Sequence, residues 1–178
     1  MEFLQSLKYL FIKSILETTA NACVTQALFW RFVLPKLLCH SDSSPCPLAH
    51  ALDLIGDRWT LLIVRDLMFR NLHEYKDLLN SFEGISTNIL ADRLRRLVQA
   101  GLIKSVAHPE SKTRKLYYLT PSGKALIHVM IEIVKWSDEH VGTAKIPPDV
   151  AGQLEGNRDE FVRKVLEKLE RWEAEHLA

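Results

Sequence analysis

The chain has 178 residues, 47% of them apolar and 25% charged, which fits one folded domain with attachments or two small ones and excludes disorder throughout. Its three cysteines, Cys23, Cys39 and Cys46, are too few for a disulfide framework and point to a reducing compartment, the cytoplasm. The net charge of +1 hides an uneven distribution: residues 86–124 hold eight Lys/Arg against two acids, a local +6, so the other 139 residues sum to −5. A basic island in an otherwise acidic chain suits an anionic partner such as nucleic acid, whereas a repeat protein, a collagen-like chain and a strongly basic wrapping protein are excluded.

From the N-terminus, residues 3–38 are rich in large apolar side chains, but Lys8, Lys13, Glu17 and Arg31 interrupt them. The longest uncharged run, Thr18–Trp30, has 13 residues. A spanning helix needs about 20. A secretory signal would need an unbroken apolar core, and Lys13 and Glu17 break it. Leu4, Leu7, Phe11 and Ile15 instead share one side of a helix, so Glu2 to about Leu34 is predicted as one or two amphipathic helices that pack on protein and not in a membrane. His40–Pro47 is polar and proline-bearing, a linker.

Helical signals then follow closely. Leu48, Ala51, Leu52 and Ile55 have i, i+3, i+4, i+7 spacing up to Gly56. Asp57 can cap a second helix that turns Trp59, Leu62, Ile63 and Leu67 inward. A third shows Tyr75, Leu78, Leu79 and Phe82, and Glu83–Gly84–Ile85 makes a tight turn. Ser86 caps a fourth helix with Leu90, Leu94, Leu97 and Val98 on its apolar side and Gly101 at its end. The period then changes: Leu102–His108 and Lys115–Thr120 read as strands joined by Pro109–Arg114, a hairpin. A long helix over Pro121–His140 carries two apolar stripes, one of Ile127, Met130, Ile131 and Val134, the other of Leu126, Val129, Ile133 and Trp136. That is one stripe more than a helix on a single surface needs, so the second suits a partner. Pro147–Pro148 breaks the chain, and a last helix from about Arg158 has Asn157 and Glu160 at capping-box spacing and Val162, Val165, Leu166 and Leu169 along one side.

Helix, tight turn, helix and hairpin in this order define a winged helix-turn-helix. The fold class is mainly α with a small β-hairpin wing. Residues 1–45 are predicted as a helical extension and linker, 46–141 as the DNA-binding domain and 142–178 as a linker and helix, the terminal helices serving dimerisation. On the fourth helix the side opposite the leucines carries Asn88, Asp92, Arg95, Arg96 and Gln99, groups that can read base edges or hold phosphate in a major groove. Ser86 and Thr87 begin that helix, where unpaired N–H groups suit phosphate. Lys112, Arg114 and Lys115 are placed at the hairpin tip for the adjacent backbone or minor groove. Charge runs on surfaces are often mere solvation. Net charge gathered on two neighbouring elements argues instead for double-stranded DNA. Of these residues, Ser86, Thr87, Asn88 and Arg95 suit the groove, and Asp92 suits the orienting of Arg95 or Arg96.

Several blocks resemble the HxlR-type regulators: Cys46–Pro47, Ala51–Trp59, Gly84–Leu94, Gly101–Ile103, Arg114 through Tyr117 to Gly123, and Trp136. The resemblance covers about residues 46–141. It implies a bacterial winged-helix transcription regulator related to MarR-like proteins, a homodimer on a palindromic operator, here expected to repress. Glu74–Tyr75 stands where the family usually has Arg-Phe, which removes a phosphate-binding arginine, and residues 1–40 exceed the family's usual N-terminal arm. Cys46 matches a position where some members carry a redox-sensing thiol, and it precedes a helix N-terminus, which favours a lowered thiol pKa. The alternative reading is an inert cysteine beside Pro47, and the effector, whether small molecule or oxidant, is left open.

Cys39, His40, Cys46 and His50 have ligand types without a strong zinc spacing, so neither metal nor cofactor is expected. His108 and His128 stand alone, and Trp59 and Trp136 sit at packing positions. No G-x-S-x-G elbow, phosphate-cradling glycine loop, dinucleotide fingerprint or H-E-x-x-H helix is present, so an enzyme is not expected. The competing reading is a winged helix used for protein docking.

Overall fold

The computed structural model describes residues 44–142 and 145–177, all within the unit Cys39–Ala178. The N-terminal helices expected over Glu2–Leu34, and Cys39 and His40 of the zinc candidate set, lie outside the described residues. The elements run α1 (Pro47–Ile55), α2 (Arg58–Phe69), α3 (Tyr75–Leu79), α4 (Thr87–Gln99), β1 (Ile103–His108), β2 (Ser111–Leu119), α5 (Pro121–His140), α6 (Pro148–Gly156) and α7 (Arg158–His176). This is a mostly helical winged helix-turn-helix, with β1 and β2 as the wing.

Helix α2 is the centre of the core. Asp57 caps it, accepting from the amides of Trp59 and Thr60 at 3.0 and 3.1 Å. It buries Ile63, Val64, Leu67 and Met68 and touches α1, α4, α5, α7 and β2. Helix α1 meets little besides α2. Leu48 and Leu52, at helical spacing with Ala51 and Ile55, are 64% and 54% exposed, while Leu54 and Ile55 lean on the core. Periodicity shows which side of a helix is apolar, not which surface covers it.

Gly84 has φ +68°, a left-handed conformation that costs glycine little and turns the chain between α3 and α4. Phe82, expected on the third helix, lies outside α3 and is 83% exposed, its ring under the Arg70 guanidinium at 3.5 Å. Leu90, Leu94 and Leu97 are buried, but Val98 is exposed at the edge of their stripe.

The wing pairs Ile103 with Leu119, Ser105 with Tyr117 and Ala107 with Lys115, then slips so that His108 pairs with Ser111. The turn is therefore Pro109–Glu110. Lys112–Arg114, expected in the turn, belong to β2 at the irregularity. The segment before α3 extends this sheet: Glu74 bridges Leu116, and the Tyr117 amide donates to the His73 carbonyl at 2.8 Å. The Thr120 hydroxyl joins the wing base to α5, donating to the Gly101 carbonyl at 2.6 Å and accepting from the Gly123 amide at 3.2 Å. Gly123 lies so close that a Cβ would stand 2.0 Å from the Leu102 carbonyl oxygen.

The two stripes of α5 part company. Ile127, Met130 and Ile131 are buried, whereas Val129, Ile133 and Trp136 are 41%, 45% and 58% exposed, with Val134 also outside at 44%. Helix α6 was not expected. Its Pro148 occupies the first helical position, where a missing amide costs nothing, and Leu154 is its one buried side chain, too little to show a period. Helix α7 starts where expected, with the Asn157 side chain accepting from the Glu160 amide at 3.0 Å. Its apolar side was expected to face a second copy, yet it lies on its own subunit. Val162, Leu169 and Trp172 are buried, Phe161 stacks on Phe69 at 6.4 Å, and Lys124 pairs with Glu173 at 2.8 Å. The core has an apolar edge that this helix covers.

One buried histidine holds that cover in place. His73 Nδ1 donates to the Tyr117 carbonyl at 2.8 Å, its Nε2 lies 3.2 Å from the Asn71 side-chain amide, and its ring stacks on Trp172 at 3.4 Å. Burial, against the support of the Tyr117 carbonyl, lowers its pKa from about 6.5 to about 4. Between these values the unfolded chain binds more protons than the folded one, so stability is complete above about pH 6.5 and declines as the pH falls toward 4. The melting temperature is expected to drop over that window, and His73→Gln should flatten the drop; thermal denaturation monitored by Trp fluorescence checks both.

Candidate nucleic-acid interface

The placement of α4 follows from its own sequence. Leu90, Leu94 and Leu97 recur at helical spacing and seat it against α2, so the opposite side faces out. Ser86 stands at the N-cap, where its hydroxyl accepts from the Ile89 amide. Ser86, Thr87 and Asn88 are exposed on the first turn. The Tyr75 hydroxyl donates to the Thr87 carbonyl at 2.9 Å and ties α3 to the start of α4.

Asp92 sits between Arg95 and Arg96, accepting from both, with the Arg96 Nε at 2.9 Å. Partial burial opposes its ionisation, but the hydrogen bond from Arg95 and the charges of Arg96, Arg95 and Arg93 prevail and hold the carboxyl below its ordinary range. The expected orienting role of Asp92 thus has its geometry. Arg95 and Arg96 remain 63% and 45% exposed.

Behind the turn, a buried network fixes α2 to the α3–α4 connection. Asp66, 3% exposed, accepts from the Ser81 hydroxyl at 2.6 Å and from Arg65 at 2.7 Å, with Arg70 at 3.4 Å. Arg65 also reaches Glu83 at 2.8 Å, and this bond and charge hold the Glu83 carboxyl down. Sequence reasoning missed these residues because polar side chains at scattered positions show no period.

Lys115 is exposed, and Lys115 and Ser105 of the wing line one open cleft of about 330 Å³ with Arg95 and Gln99 of α4 and with Tyr75 and Tyr117. Arg114, expected to serve phosphate, is ion-paired to Glu74 at 3.1 Å. Two other cations of the basic island are likewise engaged: Arg93 with Asp57 at 3.3 Å and Lys124 with Glu173 at 2.8 Å. The three partners lie outside residues 86–124, so the island's +6 falls to +3 once they are counted.

Cys46 is an exposed free thiol at the N-cap of α1. His50 Nε2 lies 2.8 Å from the Ser44 carbonyl oxygen. Among the described residues no group of three or more His, Cys, Asp or Glu is arranged to hold a metal, and no helix is long and apolar enough to cross a membrane.

Fold and surface together define a winged-helix protein with its recognition helix and wing exposed. The model of the HxlR-like helix-turn-helix family matches residues 54–145, and the chain belongs to that family. An uncharacterized HTH-type transcriptional regulator of Mycobacterium bovis is 36% identical over 98 residues, 55% of this chain and 61% of that protein. The chain thus spans about three fifths of the length of that relative. The HTH-type transcriptional regulator YodB of Bacillus subtilis is 34% identical over 95 residues, 53% of this chain and 84% of its own. Among solved structures, PA1607, provisionally classed as a transcription factor, superimposes with a TM-score of 0.52 at 38% identity, covering 61% of this chain and 72% of the other.

The Asp66 network generates a prediction. Asp66→Ala leaves Ser81, Arg65 and Arg70 without their shared acceptor and is expected to cost about 3 kcal/mol, read from urea denaturation.

Proposed function

We propose that this protein is a homodimeric transcriptional repressor that binds a palindromic double-stranded operator, with α4 in the major groove and the wing on the flanking backbone. The observation that carries the reading is the single cleft shared by Arg95 and Gln99 of α4 and by Lys115 of the wing. Cations from two separate elements converge there, which a docking module has no need of. Asn88 and Arg95 are the base readers, Ser86 and Thr87 the phosphate contacts at the helix start, Asp92 the brace for Arg95 and Arg96, and Lys112 and Lys115 the wing's phosphate contacts.

The partner is a second copy. Val129, Ile133 and Trp136 give α5 an exposed apolar stripe, and Leu48 and Leu52 give α1 another. A twofold axis that covers such a stripe sets two recognition helices about 34 Å apart, one turn of DNA. Helix α7 has no part in this reading, since its apolar side is already covered. Cys46, exposed at the start of α1, is the proposed oxidant sensor, and its neighbours Leu48 and Leu52 offer a path from thiol to interface.

Selection of bound genomic fragments, followed by salt titrations on the recovered site and on random duplex, tests the reading. Arg95→Ala should cost about 1–3 kcal/mol on the operator and relax one position per half-site. Lys112→Ala should weaken both DNAs alike and lower the salt slope by about one. Binding without salt dependence would favour the docking module. A thiol oxidant should change operator affinity in the wild type and leave Cys46→Ser unaffected.

Assembly is tested by Ile133→Glu combined with Trp136→Glu. In sedimentation the variant is expected to be monomeric and to retain its fold. It should lose operator affinity while keeping random-duplex binding. Leu169→Glu, by contrast, should unfold the chain.

A further inference from the structure

The pairing of Glu74 with Arg114 is unlike the other ion pairs of the basic island. Arg93–Asp57 and Lys124–Glu173 are largely shielded, with Arg93 and Lys124 at 23% and 16% exposure. Arg114 is 49% exposed, at the wing, where the DNA-binding reading places phosphate. Its Nη1 donates to both oxygens of Glu74, at 3.1 and 3.4 Å, and its Nη2 lies 3.9 Å from Glu110. His108 Nε2 stands 3.5 Å from Oε1 of the same Glu74 carboxylate. One guanidinium therefore faces two carboxylates.

The position of Glu74 is not accidental to a flexible side chain. Its own backbone bridges Leu116, and the residue before it, His73, accepts from the Tyr117 amide at 2.8 Å. The carboxylate is thus delivered to β2 by main-chain pairing, and its side chain is only 26% exposed. For Arg114 to hold a DNA phosphate, it must leave an acceptor already in place, or the phosphate must approach a fixed carboxylate of the same sign. Either route subtracts from binding, and neither depends on base sequence.

We propose that Glu74 is a latch on the wing, a positioning residue that withholds the Arg114 charge from the DNA backbone and so sets a lower affinity for duplex DNA of every sequence. The inference rests on the DNA-binding reading. Its consequence is a chain that leaves non-specific DNA readily and relies on α4 for its grip.

The test is fluorescence anisotropy with a labelled random-sequence duplex of about 25 base pairs, titrated at several KCl concentrations. Glu74→Gln, which keeps size and removes charge, is expected to tighten binding about three- to tenfold and to steepen the salt slope by about one. Arg114→Gln in the wild-type background should change affinity less than about twofold, but in the Glu74→Gln background it should abolish the whole gain. That coupling is not expected of a residue that merely stabilises the fold. Weaker binding and a flatter slope in Glu74→Gln would show that Glu74 aims Arg114 at phosphate, and unchanged binding would show no latch; either overturns the proposal. Should circular dichroism show Glu74→Gln unfolded, Arg114→Gln alone decides, a loss of about tenfold overturning the latch and one below about twofold upholding it. If the wild type shows no salt-dependent binding, the DNA-binding reading fails and the latch fails with it.

Discussion

The seating of α4 on α2 is the constraint on which the rest depends. Leu90, Leu94 and Leu97 are each at most 3% exposed, beside Val64 and Leu67 in the same core. Burying a leucine contributes about 1.5–3 kcal/mol, so the three together outweigh any preference of the polar side for a particular orientation. Once they are inside, the helical period obliges Asn88, Arg95 and Gln99 to be outside. The polar outer side of α4 is the complement of a packing decision. The wing inherits its place from the same event, because only three residues separate the end of α4 from β1 and Thr120 ties its base to the Gly101 carbonyl.

Charge on this surface is shaped by folding as much as by composition. The island from residue 86 to 124 loses half its excess when Asp57, Glu74 and Glu173 arrive from outside it. Arg93 and Lys124 are thereby given to structure, at the cap of α2 and at the docking of α7. What is left outward on the described surface is Arg95 and Arg96 around Asp92, with Lys104 and Lys115 on the wing. Positive charge remains where a helix and a hairpin border one cleft, and this arrangement leaves the helix-turn-helix a cationic surface there.

Apolar surface tells a parallel story on the far side of the domain. Helix α7 covers the edge formed by α2 and the segment around His73, with Trp172 stacked on that imidazole. Helix α5 is covered on one side only, and Trp136 lies outside, stacked on His140 at 5.5 Å. The domain therefore closes its core toward its own C-terminus and leaves a stripe of α5 for another surface. Exposed aliphatic and aromatic side chains at regular helical spacing are the usual mark of an interface.

Sequence by itself determined the elements and their order. Caps at Asp57, Ser86 and Asn157, the leucines of α4, the turn around Gly84 and the change of period after Gly101 are local signals, carried by neighbours within a few residues, and the structure has each of them. The exposed row Asn88, Asp92, Arg95, Arg96 and Gln99 was legible for the same reason. Helix α6 was not, having one buried leucine and so no pattern. Tertiary structure alone decided which apolar side meets which surface, placing Leu48, Leu52 and Phe82 outside and the stripe of α7 inside, because periodicity fixes a direction but not an occupant. It alone decided which charges remain available: Glu74 and Arg114 are 40 residues apart in the chain, and only main-chain pairing between the α2–α3 connection and β2 brings their opposite charges within hydrogen-bonding distance.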